Sequence, residues 1–331
     1  MPRFLRIHEG HDPSCLRLDE LPLRDPIADE VRIRVQAFGM NYGDLDLMED
    51  NYPFTLDRPS LFGDEAAGVV DALGPEATDF AIGDRVDTLP WANKGYGVNG
   101  EYAFIPQDYV SRRPENMSPE QGAAIWVQYL TAYYALYTAA NIQADDFVLN
   151  CAASSSAGIG ATQLAKLAGA TVIGTSRTFA NKGFLLETGC DHVIATQDED
   201  VSARILEITD GKGARIIYDP VGGPLTEQYA NGLSLNAIIF LYGSMADQPT
   251  VVPINEMIQQ SAILIPHSVY QYIDDPELRK KAVDFVHDAL VSGQLVPLID
   301  RVFDLDNYRD AFEYQVEAKA RRGKLVIRVQ P

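Results

Sequence analysis

Hydrophobic and polar residues follow two different periods along this chain. Apolar and polar positions alternate over residues 31–37, which is the period of a half-buried β-strand. The apolar run at 66–70 and the segment GDRV at 83–86, in a region with frequent glycines, predict further short strands joined by turns, as in a small barrel. Residues 1 to about 120 are therefore predicted to be mostly β-structure.

A helical pattern begins at Ser118. This serine is followed by Pro119 and, three residues on, by Gln121, which is the signature of a capping box at a helix start. A long apolar and aromatic stretch comes next. It predicts one continuous helix through Ala123 to about Ala140.

Strands and helices alternate in the next part of the chain. The predicted helices cover 158–167, 182–188 and 201–209, and the predicted strands cover 147–153, 171–175, 192–194, 216–219, 238–242 and 263–265. Apolar strands that alternate with helices are typical of a parallel sheet covered by helices on both faces. After residue 270, the pattern predicts one amphipathic helix at 277–292 and a last strand at 324–329.

The composition limits the classes of partner. The 331 residues suffice for two domains, and the formal net charge of −20 argues against nucleic acid, whose phosphates require a basic surface. There is no uncharged apolar window of about 18 residues and no secretory signal at the start, so we expect no membrane span and a cytoplasmic protein. The three cysteines lie far apart, which predicts neither a four-cysteine zinc site nor a disulfide framework.

The segment 152–160 joins the first strand of the alternating part to its helix, where a dinucleotide-binding fingerprint has Gly-x-Gly-x-x-Gly. Gly158 stands at the third glycine, but an alanine and a serine replace the first two, so a plain tight turn is the alternative. Ser155, Ser156 and Ala157 are still small enough for the backbone to approach a pyrophosphate. The helix that follows presents free N–H groups to an anion.

The end of the second strand of this part indicates which nucleotide binds. An NAD site has Asp or Glu there to bind the ribose 2′-hydroxyl, whereas this chain has Ser176, followed by Arg177 and Lys182. A hydroxyl and two cations suit a 2′-phosphate, and they interrupt the general acidity of the chain. The cofactor is therefore predicted to be NADPH; the alternative is that both cations are ordinary solvated residues at a helix start.

Seven motifs carry a resemblance to a known family. They are GMNYGD at 39–44, FGDEAAGVV at 62–70, GDRV at 83–86, IWVQYLTAY at 125–133, the loop at 152–158, DPVGG at 219–223 and GKLV at 323–326. In their order and spacing the chain resembles the zinc-free branch of the medium-chain dehydrogenase/reductases, the quinone-oxidoreductase-like proteins, over nearly its whole length.

The resemblance implies an α/β architecture of two domains. A GroES-like β-barrel catalytic domain is expected from 1–121 plus 270–331, with an inserted Rossmann doubly wound parallel-sheet domain, 122–269, that binds NADP(H). The active site is expected in the cleft between them. In zinc-dependent relatives the metal ligands fall at the positions of Asn41, Asp64 and Val127, and this set is a poor zinc site, so we expect no metal ion.

The resemblance also implies hydride transfer from NADPH to quinones or to α,β-unsaturated carbonyls. Asn41 and Tyr52 are the candidate catalytic residues that donate a hydrogen bond to the substrate oxygen, although a packing role for Tyr52 is an equal alternative. Thr131 is expected near the nicotinamide, with a helix threonine that bonds its own backbone as the alternative. Tyr242 and Gly243 are further candidates for cofactor binding.

Two other functions remain open on the sequence. An enoyl-thioester reductase, acting on an acyl carrier or coenzyme A, would need cations near the mouth of the site, and Arg321, Arg322 and Lys324 are the candidates. A scaffold that binds NADPH without chemistry is the other. The apolar run 263–265 is expected at a sheet edge, which favours pairing with a second copy in a homodimer.

Overall fold

The computed structural model describes residues 1–91, 94–317 and 321–329. The chain folds into two compact units. The first is built from Met1–Val127 and from most of the chain after Pro297, and the second from Gln128–Val296 together with Arg321 and Arg322. In the part of the chain that the structure describes, no helix is long and apolar enough to cross a membrane.

The first unit is mainly β-structure. Its strands are β1 (Arg3–Ile7), β2 (Leu16–Glu20), β3 (Glu30–Met40), β4 (Ser60–Leu61), β5 (Ala66–Leu73), β6 (Arg85–Thr88), β7 (Tyr102–Pro106) and β8 (Val110–Arg112), with β15 (Ile299–Asp304) and β16 (Lys324–Arg328) near the end of the chain. Its helices are α1 (Tyr42–Met48), α2 (Pro119–Gly122) and α11 (Tyr308–Glu317).

Two sheets form this GroES-like unit, called the barrel unit below. One sheet has the order β2-β1-β4, and the other has the order β15-β16-β3-β5-β6-β8, with β7 also paired to β3. The predicted alternation over 31–37 lies inside β3, where Val31, Ile33 and Val35 are fully buried. The predicted runs at 66–70 and 83–86 likewise contribute to β5 and β6.

The second unit alternates strands and helices. Its strands are β9 (Phe147–Asn150), β10 (Thr171–Ser176), β11 (His192–Ala195), β12 (Ala214–Asp219), β13 (Leu233–Leu241) and β14 (Ile263–Pro266). Its helices are α4 (Ser156–Leu167), α5 (Lys182–Glu187), α6 (Val201–Ile208), α7 (Leu225–Tyr229), α8 (Ile254–Gln260), α9 (Tyr270–Ile273) and α10 (Pro276–Val291), while α3 (Trp126–Tyr133) leads into it.

The six strands of the second unit form one parallel sheet in the order β11-β10-β9-β12-β13-β14. This order is the Rossmann arrangement, in which the chain starts in the middle and adds strands first to one side and then to the other. Ile173, Ile194, Ile217 and Ile239 belong to one buried cluster with their neighbours. The strands are apolar because helices cover the sheet. We call this second unit the Rossmann unit.

The structure corrects the long helix predicted from Ala123 to about Ala140. Ser118 and Gln121 do form the capping box, but α2 ends at Gly122, α3 starts afresh at Trp126, and a π-helical turn covers Tyr134–Ala139. The restart has a tertiary cause, because the Glu65 carboxylate accepts the Val127 N–H at 3.0 Å. A helix start leaves such N–H groups without an internal partner.

The end of the chain also differs from the prediction. Residues 270–296 belong to the second unit rather than to the first, because α10 packs its Phe285 ring 5.2 Å from Tyr133 and 4.9 Å from Tyr137, ring centre to ring centre. The region after 270 contains α11 and β15 as well as the predicted helix and last strand. The strand predicted at 147–153 ends earlier, at Asn150.

Candidate active site

The loop between β9 and α4 has the geometry of a phosphate-binding turn. Ser155 caps α4, and its hydroxyl accepts the Gly158 N–H at 3.1 Å. A side chain at Gly158 would place its Cβ 2.7 Å from the Ala152 carbonyl oxygen, so only glycine allows the helix to start this close to the loop. Ser156 and Ala157 are half-buried in the first turn, where N–H groups lack helical acceptors.

Ser176, Arg177 and Lys182 lie close together along the chain beside this loop. Ser176 is the last residue of β10, and its hydroxyl donates to the Thr178 carbonyl at 2.5 Å. Arg177 is exposed, and Lys182 is the exposed first residue of α5, with its ammonium 5.4 Å from the ring centre of Phe179. The Rossmann unit thus has a hydroxyl and two cations where an NAD-specific site has a carboxylate.

Arg322, predicted as a candidate cation for an enoyl-thioester substrate, lies near this site instead. Its Nε donates to the Asn181 side-chain oxygen at 3.1 Å, and its guanidinium lies 5.3 Å from the ring centre of Phe184 in α5. The Asn181 amide nitrogen is in turn 3.4 Å from the Ser154 hydroxyl. Nothing in the local sequence predicts this position, because Arg322 follows Asn181 by about 140 residues.

Tyr242 and Gly243 directly follow β13, at the carboxyl edge of the sheet where open parallel sheets bind ligands. The Tyr242 ring stacks on Tyr218 with the ring centres 4.0 Å apart. Gly243 is exposed, and a Cβ at this position would lie 2.8 Å from the Pro220 carbonyl oxygen. Both residues are therefore fixed by packing against the turn after β12.

Thr131 is buried in α3, and its carbonyl is bound by a histidine that is not among the predicted site residues. The Nε2 atom of His267, which follows β14, lies 2.8 Å from the Thr131 carbonyl oxygen. A carbonyl only accepts, so Nε2 carries the proton and Nδ1 is an acceptor. Burial lowers the pKa of His267 to about 4, which keeps the ring neutral at physiological pH.

In the barrel unit, three hydrogen bonds fix Asn41 at the start of α1. Its backbone N–H donates to the Asp44 carboxyl group at 2.8 Å, and its carbonyl accepts the Gln315 side-chain N–H at 2.7 Å. Its side-chain oxygen accepts from the Lys324 ammonium at 2.6 Å. The Asn41 side-chain nitrogen is buried and makes no hydrogen bond with any residue that the structure describes.

Lys324 forms a buried ion pair with Glu65. The two side chains are 1 % and 0 % exposed, and the Lys324 ammonium donates to one Glu65 oxygen while the other accepts the Val127 N–H. Gly39 makes room for the pair, since a Cβ there would lie 2.8 Å from Lys324 Cε and would collide with the Ala123 carbonyl. Lys324 is therefore not the exposed cation that an enoyl-thioester site would need.

Acidic side chains surround the same place. Burial raises the pKa of Asp44 to about 8, and the nearby carboxylates Asp64 and Glu65 raise it further, against the opposite effects of the Asn41 N–H and Lys324. Asp44 is therefore mostly protonated at neutral pH. Among residues 1–91, 94–317 and 321–329, no three His, Cys, Asp or Glu side chains are grouped so as to hold a metal ion.

Tyr52 lies against the first turn of α1. A Cβ at Gly43 would be 2.8 Å from Tyr52 Cε2 and 3.1 Å from its hydroxyl oxygen, and the ring packs edge-to-face on Phe54 at 5.0 Å. Since Asn41 caps the same helix, the fold brings the two predicted catalytic residues to one end of α1.

Comparisons with known proteins fit this architecture. The alcohol dehydrogenase GroES-like domain model matches residues 27–115, and the zinc-binding dehydrogenase model matches residues 157–288. Quinone oxidoreductase 1 of Escherichia coli is 30 % identical over 294 residues, which cover 88 % of this chain and 89 % of that protein. The chain belongs to the quinone oxidoreductase family, within the medium-chain dehydrogenase/reductases.

Solved structures of this superfamily have the same fold. The structure of Escherichia coli quinone oxidoreductase complexed with NADPH has a TM-score of 0.90 and 28 % identity, covering 99 % of this chain and all of that one. The CurK enoyl reductase has a TM-score of 0.87 and 25 % identity, covering all of this chain and 99 % of that one. As a family member, the chain is an oxidoreductase with a nicotinamide cofactor.

The Rossmann unit of this quinone oxidoreductase family member fits such a nucleotide. The glycine-tight turn at Gly158 and the open first turn of α4 suit a pyrophosphate, because the helix N-terminus presents N–H donors and a partial positive charge. The carboxyl edge near Tyr242 would accept the other half of the dinucleotide. When bound, the nicotinamide supplies or takes up a hydride.

Proposed function

We propose that this protein is an NADPH-dependent reductase of quinones or α,β-unsaturated carbonyls that uses no metal ion. The observation that carries the choice of NADPH is the group of Ser176, Lys182 and Arg322 around α5, with Arg177 beside it. These cations stand together in a chain whose net charge is −20. Such a local group of positive charges suits a 2′-phosphate. The NADPH complex of the Escherichia coli relative supports the same choice.

The reaction needs little from the protein beyond binding and polarisation. A hydride adds to the electron-poor carbon of the acceptor, and an electron pair of the conjugated system moves to the oxygen, which then takes a proton from water. Asn41 and Tyr52 are the candidate donors to that oxygen, and such donors stabilise the charge that develops there. The remaining work of the protein is to orient the acceptor for hydride transfer.

The donor chemistry at the metal positions of zinc-dependent relatives supports a reaction without zinc. Val127 offers no ligand, and the Asn41 side-chain oxygen is bound by the Lys324 ammonium at 2.6 Å. A positive charge at this distance opposes the binding of a second cation. Elemental analysis of the purified protein tests this expectation, and one zinc ion per chain would contradict it.

The test of cofactor and acceptor needs two measurements. Calorimetry is expected to show NADPH bound at least about tenfold more tightly than NADH, a difference of about 1.4 kcal/mol. NADPH oxidation is expected with 1,4-benzoquinone and with a simple conjugated enone. A preference for NADH, or no turnover of either acceptor by correctly folded protein, would overturn the proposal.

The same assays separate the two other candidate functions. The enoyl-thioester alternative is favoured by the likeness to the CurK enoyl reductase, and activity on crotonyl-CoA but not on free enones would select it. Against it, Lys324 is buried and Arg322 lies against Asn181, so two of its three candidate cations do not form a patch. Tight NADPH binding without reduction of any acceptor would instead favour a non-catalytic scaffold.

We also propose that the protein is a homodimer through the edge strand β14. Ile263 on this strand and Ile258 in the preceding helix are 56 % and 72 % exposed, and an apolar edge strand invites pairing with a second sheet. Light scattering is expected to give twice the chain mass, and Ile263→Lys is expected to shift the protein to monomer. A monomeric wild-type mass would contradict this.

A further inference from the structure

We propose that Lys324 is a positioning residue: it fixes the side-chain amide of Asn41 so that the NH₂ group is turned toward the substrate oxygen. The part that concerns the substrate rests on the function proposed above. The part that concerns the orientation of the amide rests only on contacts within the barrel unit. Glu65 and Gln315 complete the arrangement by holding Lys324 and Asn41 in place.

The orientation follows from what each group is able to do. The oxygen and nitrogen of an asparagine amide are hard to tell apart by shape, but an ammonium group only donates. The atom of Asn41 that faces Lys324 at 2.6 Å must therefore be the oxygen. The NH₂ group then points away from the ion pair, and it is buried without a partner among the described residues.

Other contacts hold the backbone of Asn41, so the main freedom left to its side-chain amide is rotation about the bond that joins the amide group to the Cβ atom. Asp44 binds the backbone N–H of Asn41 and Gln315 binds its carbonyl, so the residue is held on both sides. Lys324 sets the remaining torsion. The adjacent ammonium also polarises the amide, which makes its N–H a stronger donor in a dry site.

The fold explains how a residue near the end of the chain reaches Asn41. Strand β16 pairs antiparallel with β3, in a register that sets Leu325 opposite Met40. Lys324 and Asn41 are the neighbours of that pair, and Gly39 leaves the space that the lysine stem and Glu65 occupy. An N–H donor fixed in this way, on the helix turn that Tyr52 also touches, suits a carbonyl oxygen that becomes negative during reduction.

Kinetics on a double-mutant cycle test the proposal. Lys324→Met combined with Glu65→Gln removes both buried charges, so neither is left unpaired. We expect kcat for the quinone or enone to fall about 10- to 100-fold, as for a misplaced donor, with the KM for NADPH within about twofold. In an Asn41→Ala background, the same pair of changes is expected to have almost no further effect.

A matched variant separates the donor from the lysine contact. Asn41→Asp keeps an oxygen for Lys324 but has no NH₂ group, and its activity is expected to fall as far as that of Asn41→Ala. The proposal is wrong if the fold losses in kcat caused by Asn41→Ala and by Lys324→Met/Glu65→Gln multiply in the combined variant. It is also wrong if Asn41→Asp is fully active. Wild-type turnover in the same assay reports separately on the proposed function.

A measurement without substrate tests the orientation even if neither acceptor is reduced. In protein labelled with ¹⁵N-asparagine, the Asn41 side-chain NH₂ signals are identified by their loss in Asn41→Asp. We expect their chemical shifts to differ from random-coil values in the wild type and to lie close to random-coil values in the Lys324→Met/Glu65→Gln protein. Random-coil positions in the wild type would overturn the proposal.

Discussion

The candidate binding residues of the two units lie in opposite environments. In the Rossmann unit, the candidate phosphate ligands Arg177 and Lys182 are exposed and stand close together in the sequence. In the barrel unit, Asn41, Glu65 and Lys324 come from distant segments and form a cluster in which the ion pair is wholly buried. The exposed cations can be neutralised by a charged ligand, whereas the charges of the buried ion pair neutralise each other.

This difference predicts how each region responds to a mutation. Exposed cations contribute separately and modestly, because water replaces any lost contact. Buried charges act together, because removal of one leaves the other without solvent or partner. Substitutions in both units test that contrast.

Loss of Lys324 alone should have the largest effect. Lys324→Met leaves Glu65 charged and buried, and we expect the free energy of unfolding to drop by about 3–5 kcal/mol. The Lys324→Met/Glu65→Gln protein should lose much less. Chemical denaturation measures both.

The matched control for this change is Lys166→Met in the Rossmann unit, where the Lys166–Asp191 pair is 38 % and 34 % exposed. Its unfolding free energy should change by less than about 1 kcal/mol. Equal losses in the two units would refute the contrast between buried and exposed charges.

Single changes at the phosphate site should affect binding rather than folding. Lys182→Ala and Arg322→Ala are each expected to weaken NADPH binding about tenfold, or about 1.4 kcal/mol, because each removes one of the cations proposed to contact the 2′-phosphate. Affinity for NADH should stay the same, since it has no such phosphate. Titration calorimetry with both nucleotides gives the comparison.

Lys280→Ala serves as the control for the cation variants, because Lys280 is an exposed lysine on α10 that pairs with Asp284. It should leave both affinities unchanged. Equal losses of NADH and NADPH affinity in Lys182→Ala or Arg322→Ala would show that these cations bind something other than the 2′-phosphate.

The pH dependence of stability should show a smaller difference of the same kind. Burial raises the pKa of Asp87 in the barrel unit to about 8, against the opposite effects of Arg113 and Arg85. Between about pH 4 and 8 the unfolded chain loses this proton while the folded protein keeps it, so the stability contributed by Asp87 falls as pH rises.

Asp87→Asn has no proton to lose, so its Tm should rise relative to that of the wild type as the pH increases from 5 to 9. Each kcal/mol of stability that the wild type loses corresponds to about 2–4 °C in this difference. Asp145→Asn, at an exposed position in the Rossmann unit, should show no such trend. A constant difference between Asp87→Asn and the wild type across this range would mean that Asp87 is ionised in the folded protein.

Local patterns along the chain predict those parts of the fold that depend on near neighbours. The alternation at 31–37 located β3, the serine and glutamine of the capping box located the start of α2, and the apolar runs located the strands of the Rossmann sheet. The same local pattern predicts Ser176 and Lys182 as candidate ligands of a phosphate, because the end of a strand and the start of the next helix are close in sequence.

The other features depend on long-range contacts, which join residues that no local period relates. The helix predicted through Ala123 breaks where Glu65 binds the Val127 N–H, and Arg322 reaches Asn181 from the far end of the chain. Lys324 reaches Asn41 only because of the register between β3 and β16. Strand register depends on the packing of the whole sheet, and a shift of one residue would turn Lys324 to the other face.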